Sequence, residues 1–239
     1  TDLQYTVANE LLNFMRSRGI RSKVQRMHMY MGSGLQSMRA PVIADLTSGV
    51  IIYDSINNFV DGDFTTSGLT GDGTTKFLLT SIYLNSFGAI TNHHVAVYNR
   101  TSGTLNTTFE IAVGQVSVAL SQIAVSYTGL GTFFQAGSGA TYCNVADASG
   151  VGCYLGTVTS TTAAAIYKNG AVHCSWADPG GTTGPNVQVA VHARNLGGVF
   201  DSYSSRQLCW YSVGLGISPQ LADHYYRGVQ FAQRRLGRA

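Results

Sequence analysis

The sequence predicts an all-β fold, a sandwich of short strands with a helix at each end. Three observations carry the prediction. From Asn57 onward, strand-like runs such as "GLTGDGTTKFLLT", "HHVAVYNRT", "FEIAVG", "IAVSY", "VGCYLGTVTS" and "NVQVAVHARN" follow one another closely, parted by turn residues. Charged residues make up only 11% of the chain, and 28 glycines stand against four prolines, a strand-and-turn composition. Finally, Asn169-Gly170 falls between "AAAIY" and "AVHCSW". Asn-Gly suits a two-residue type I′ hairpin turn, because both positions need positive φ.

Taken in order, residues 2–18 read as a helix with Leu3, Val7, Leu11 and Phe14/Met15 on one face and Gly19 as its stop. "IRSKVQRMHMYMG" alternates as a strand would, with an ambiguous inward face, and residues 32–58 read as a connecting arm. This gives two regions, a helix with a docking arm over 1–56 and the sandwich over 57–239. The chain ends in a second helix, with Ser218 as cap, Pro219 in the first turn and Gly237 as stop. Leu221, Tyr225, Val229, Ala232 and Leu236 share one face of it, and that face needs apolar cover.

Charge is unevenly spread. Residues 1–39 hold six basic and two acidic side chains, residues 40–226 five basic and ten acidic, and residues 227–239 four basic and none acidic. A mildly acidic body with basic ends is unlike a nucleic-acid reader, whose cations form a stripe on the folded domain. It fits ends that meet an acidic partner or fold back on their own body. No apolar run reaches the roughly 18 residues of a membrane span, and the first 30 residues have no signal-peptide layout, so a soluble chain is expected.

The residues argue against several chemistries. Cys143, Cys153, Cys174 and Cys209 are 10, 21 and 35 residues apart, which is no zinc pattern. Buried free thiols are expected, with a Cys143–Cys153 hairpin disulfide as the alternative. His93 and His94 are adjacent and point to opposite faces of a strand, one inward and one to solvent, so they cannot chelate together. "VDGDF" and "TGDGTT" are turn sequences without the oxygen set of a calcium loop. G-x-S-x-G is absent. Neither a metal nor a cofactor is expected.

"NFVDGDFTTSGLTGDGTTKFLLT", "NHHVAVYNRT", "AIYKNGAV" and "YSVGLGISPQLADHYYRGVQFAQRRLGR" resemble successive blocks of the concanavalin A-like, laminin-G-like jelly-roll modules of tailed-bacteriophage structural proteins. The resemblance implies a jelly-roll sandwich, a hairpin at the Asn-Gly turn and a closing helix packed on the sandwich. It also implies a place in a virion, working through contacts with other virion subunits, with homo-oligomers expected. On that reading Arg16, Arg18, Arg21, Lys23 and Arg26 form the docking surface, on a segment dispensable for folding. The alternative is a carbohydrate-binding adhesin for host surface glycans, with Trp176, Asp178, Asp201, Tyr203 and Arg206 as candidate contacts. Jelly-roll glucanases resemble one another in an E-x-D-x-E strand motif that places paired carboxylates on one face. Here the only glutamate in the body is Glu110, followed by Ala112 and Gly114 at the later motif positions, so no hydrolase is expected.

Overall fold

The computed structural model describes residues 2–44, 52–87, 90–102, 106–115, 119–137, 142–147, 149–177, 179 and 184–238. Two sheets face each other. The first runs, in spatial order, through Ala171–Trp176, Ala163–Lys168, Gly152–Ser160, His93–Asn99, Gln207–Gly214, Gly68–Thr70 and Phe64–Thr65, and Val24–His28 also pairs with Gln207–Gly214. The second runs through Tyr142–Val145, Gly131–Gly137, Ala119–Tyr127, Ile111–Gln115, Gln188–Val191, Phe77–Tyr83 and Ser55–Asn57. Arg194–Leu196 joins it parallel to Ile111–Gln115 and forms a hairpin with Val199–Asp201.

Strand alternation creates two apolar layers from one sheet. Val95 and Val97 point between the sheets, where they meet Ile111, Ile123, Phe134 and Val191. Ala96 and Tyr98 point the other way, into a second layer with Leu155, Tyr167 and Trp210. That layer is the cover the end helices need. Tyr225, Val229 and Ala232 of the helix Pro219–Arg235 pack there, as do Val7, Leu11 and Met15 of the helix Asp2–Ser17. The Trp210 indole N–H donates to Tyr225 Oη at 2.9 Å and fixes the closing helix to its sheet. Leu221 and Leu236 are partly buried at the margin of the same layer.

The first helix is therefore packed into the folded body. A Cβ on Gly228 would lie 3.0 Å from the Phe14 ring and 3.2 Å from Leu11, so the bare glycine lets the two helices approach. Glu10 and Arg235 pair across them at 3.4 Å. Arg26, expected at a docking surface, is buried and pairs with Asp54, whose other oxygen accepts the Tyr211 hydroxyl. Val24–His28 pairs with Gln207–Gly214, and every residue of it except Gln25 is buried, which resolves the face that the sequence left ambiguous. Arg16 and Arg18 are exposed, while Arg21 and Lys23 are half-buried.

Three smaller expectations also change. Cys143 is bonded to Cys174, with Cα atoms 6.0 Å apart, and Cys153 and Cys209 are buried free thiols. Facing edge strands of the two sheets bring the bonded pair together across 31 residues. His93 and His94 do point to opposite faces, but neither meets solvent, because the helices cover the outer one. His93 Nε2 meets Ser121 Oγ at 2.8 Å, and His94 bridges the Leu215 carbonyl and Ser212 Oγ at 2.7 and 3.0 Å. Ser218 occupies the N-cap without a side-chain hydrogen bond, and Pro219 takes the first turn.

At the hairpin, Asn169 and Gly170 have φ of 53° and 82° between the paired residues Lys168 and Ala171. No helix of the described residues is long and apolar enough to cross a membrane.

Candidate functional site

The helices cover the outer face of one sheet. On the outer face of the other lies a small cluster to which neither helix contributes: Phe109, Ala112, Ala124 and Phe133, with Tyr127 and Leu130 at its margin. Strand period two builds this face. In Ala119–Tyr127, Ile123 and Val125 face the core, which turns Gln122 and Ala124 outward. In Gly131–Gly137, Phe134 and Ala136 face the core, which turns Phe133 and Gln135 outward.

Register then aligns one row across five strands. Tyr142 pairs with Gln135, Gln135 with Gln122, Gln122 with Ala112, and Ala112 with Arg194. The hairpin partner of Arg194 is Asp201, which extends the row to its end. Gln122 Nε2 donates to Gln135 Oε1 at 2.7 Å, tying the middle of the row together. Arg194 grips Asp201 in a fork, Nε to Oδ1 at 2.8 Å and Nη2 to Oδ2 at 2.6 Å. The pairing raises the pKa of Arg194 and lowers that of Asp201.

Aromatic rings flank the row. Phe133 sits 5.5 Å from Tyr127, 5.8 Å from Phe109 and 5.5 Å, edge-on, from Tyr142, measured between centroids. The Arg194 guanidinium lies 5.3 Å over the Phe109 ring, so its plane is held on one side by an aromatic and at its edge by a carboxylate. Beyond Asp201, Phe200 stacks on Phe77 at 4.1 Å, with Tyr203 tilted 6.1 Å away. Tyr142 is 42% exposed, and Tyr127 and Leu130 are half-buried. Gln122, Ala112, Ala124, Phe109 and Phe133 are buried beneath this face, and the groups left at its surface are the exposed Tyr142 and the partly exposed Tyr127, Gln135, Arg194 and Asp201.

Of the residues singled out from sequence, Asp201 and Tyr203 lie on this face. Trp176 does not. It ends an edge strand of the helix-covered sheet, stacked edge-on against Phe134 at 5.4 Å, beside a pocket of about 400 Å³ bounded by Thr157, Thr159, Thr162, Ser175 and Pro219. Asp178 lies outside the described residues. Arg206 is buried against Glu110 at 3.3 Å and cannot meet a ligand. Glu110 also accepts from the Val125 N–H and Ser204 hydroxyl, and burial pushes its carboxyl up to about 7 despite Arg206. Arg194, Tyr142, Gln122 and Gln135 were not singled out. The alternation in "SQIAVSY" and "GTFFQAG" is the signal that could have found two of these four, Gln122 and Gln135. Among the described residues, no group of three potential ligands could hold a metal ion.

No protein-family model matches the chain, and no curated protein matches it. Solved structures do share its fold. Domain 4 of AbnA, an extracellular GH43 arabinanase from Geobacillus stearothermophilus solved with arabinotriose, aligns over 84% of this chain and 97% of its own, with TM-score 0.56 and 10% identity. A botulinum neurotoxin type C structure, from a study tying cell entry to two ganglioside molecules, aligns over 90% of this chain with TM-score 0.58 and 9% identity. The ligand-binding domain of serotype D, solved with N-acetylneuraminic acid, aligns over 87% with TM-score 0.53 and 14% identity. The chain spans about half the length of the neurotoxin structures, 53% and 51% of them. At these identities the likeness is one of fold, a β-sandwich of two sheets.

Proposed function

We propose that the protein is a lectin-like glycan-binding module whose binding surface lies on the helix-free side of the second sheet, at the exposed Tyr142 and the partly exposed Gln135, Arg194 and Asp201. One observation carries the reading: helices cover one sheet, while the side of the other that neither helix touches carries the exposed Tyr142 and the partly exposed Gln135, Arg194 and Asp201 above a buried layer that includes Gln122 and Ala112. Two structural neighbours solved with arabinotriose and with N-acetylneuraminic acid, and a third from a study tying cell entry to two ganglioside molecules, support it. The module binds and does not hydrolyse. The sole glutamate of the body is buried against Arg206, and Asp201, which ends the row among the described residues, is already forked by Arg194. The test is a glycan array probed with the whole chain, followed by titration of any hit against Tyr142→Ala, with melting as the check on folding. Loss of binding with unchanged melting supports the face. Retention of full binding places the site elsewhere.

A finer reading puts the module on a bacteriophage particle, displayed by contacts of its basic helical side. Its support is the block-by-block sequence resemblance and the cations on that side, where Arg16 bonds Asn13 and Arg18 lies over Phe14. Sedimentation of the chain with purified particles, and its release by Arg16→Glu with Arg18→Glu, tests it.

A further inference from the structure

We infer a second ligand site, on the helix-covered sheet and separate from the Tyr142 surface: the pocket of about 400 Å³ beside the start of the closing helix takes one or two rings of a neutral sugar. Register makes the hollow. Thr157 pairs with Ala165, and Ala165 with Ser175, so three neighbouring strands carry small side chains in one row. Their neighbours Val158 and Ala164 belong to the core between the sheets, which turns this row to the outer face. Pro219, the first residue of the closing helix, stands at the border, so helix cover ends where the side chains are smallest.

Exposure separates floor from mouth. Thr157, Ala165 and Tyr167 are buried, whereas Thr159, Ala163, Ser175 and Pro219 are exposed and Val172 is 60% exposed. A ligand reaches the mouth without any strand or helix moving. Chemistry then selects the ligand. Among the described residues no charged side chain borders the pocket, so a carboxylate or ammonium placed there would lose water and find no counter-ion. Hydroxyls remain. Thr157 accepts the Ile217 N–H at 2.9 Å and Thr162 pairs with Ser160 at 3.3 Å, while Thr159 and Ser175 have no hydrogen-bond partner for their side chains among the described residues. Each of these two hydroxyls can donate and accept, which matches the hydroxyls of a sugar. Ala163, Val172 and the half-buried Trp176 add apolar surface for the C–H face of a ring. The volume lies at the lower end of the about 300–1,000 Å³ of small-molecule sites, which limits the occupant to one or two rings.

Calorimetric titration of the full chain with neutral mono- and disaccharides, and with N-acetylneuraminic and glucuronic acids, tests the inference. At least one neutral sugar is expected to bind, with the acids weaker by at least about tenfold. Ala163→Phe fills the mouth from an exposed position and should weaken that sugar by at least about tenfold with unchanged melting. Ser175→Ala and Thr159→Val each remove one hydroxyl and should weaken it by about fivefold. Tryptophan emission gives an independent reading, because Trp210 is fully buried against Tyr225 and Trp176 is the one of the two that borders the pocket. It should change as the sugar binds, and not in Ala163→Phe. Binding that Ala163→Phe and Ser175→Ala leave unchanged, or a preference for the acids, overturns the inference and leaves the Tyr142 surface standing. No binding of any neutral sugar overturns it as well, while the glycan array and Tyr142→Ala decide the other surface separately.

Discussion

Arg238 reaches back across the whole chain to Tyr30, its Nη2 donating to the Tyr30 carbonyl at 2.7 Å. Nη1 of the same guanidinium donates to the Met29 carbonyl at 2.6 Å, and Nε to the carbonyl of Thr66. One side chain near the carboxy-terminal end thus satisfies three backbone acceptors in the amino-terminal segment and in the turn after Phe64–Thr65. Arg238→Ala leaves those acceptors without the charge-assisted donors, and a loss of roughly 3 kcal/mol is expected. Urea unfolding measures it. Arg238→Lys, which keeps the charge but not the fork, should recover only part.

Leu11 is fully buried where the first helix meets Gly228 and the layer around Trp210. Leu11→Ala opens a cavity there and should cost about 2–5 kcal/mol. Removing residues 1–19 should do more, exposing Trp210 and Tyr225 and giving aggregated or unfolded protein. A truncated chain that melts like the intact one would return the first helix to the role of a separable arm.

Stability should fall as pH drops from about 6.5 toward 4. Burial lowers His93 and His94 to about 4 and His192 to about 3, below the 6.5 of an unfolded histidine. Between those values the unfolded chain holds more protons, so acid favours unfolding. Glu110 has the opposite sign, because its raised value of about 7 means that the folded state holds the extra proton between 4.5 and 7. Three histidines against one carboxyl leave a net loss on the order of 3 kcal/mol between pH 7.5 and 5. Denaturant titrations at the two pH values decide it, and His93→Gln should flatten the difference.

Gly170 has φ 82°, and its Cβ position lies 3.0 Å from the Tyr226 ring of the closing helix. Beside it, the Asn169 N–H donates to the Cys153 carbonyl and its Oδ1 accepts from the Cys153 N–H. Gly170→Val therefore meets both backbone strain and a neighbour, and more than about 1 kcal/mol should be lost. An unchanged denaturation midpoint would show that the turn tolerates a branched residue at positive φ.

Local signals were legible and distant pairings were not. The spacing of Tyr225, Val229 and Ala232 states that one face of the tail is apolar, and Asn169-Gly170 states its own turn, because both depend on neighbours within a few residues. The same spacing in Val7, Leu11 and Met15 announces an apolar face without saying what covers it, and so the first helix reads as an arm. Arg26 reads as an exposed cation because Asp54, its partner, is 28 residues away. The candidate site is harder still. Tyr142, Gln135, Gln122 and Arg194 come from four strands, and only register puts them in one row. Trp176 drew attention as a large aromatic beside a glycine-rich loop, and its position against Phe134 gives it a packing role.

Cys143 and Cys174 clip together the edge strands Tyr142–Val145 and Ala171–Trp176, one from each sheet, at an edge where no hydrogen-bonded ladder joins the sheets. The bond closes a loop of 31 residues, and removing such a constraint from the unfolded chain should lower stability by about 3 kcal/mol. Unfolding with and without reductant measures the difference. Thiol labelling gives an independent reading. Cys153 and Cys209 are buried under the helical layer, and burial pushes Cys209 up to about 12 and Cys153 higher still, so neither forms a reactive thiolate in the folded protein. Alkylation should therefore modify no cysteine in the native chain, Cys153 and Cys209 after unfolding, and all four after unfolding with reductant. Labelling of Cys143 or Cys174 in the unfolded chain without reductant would mean that the bond across the two sheets does not form.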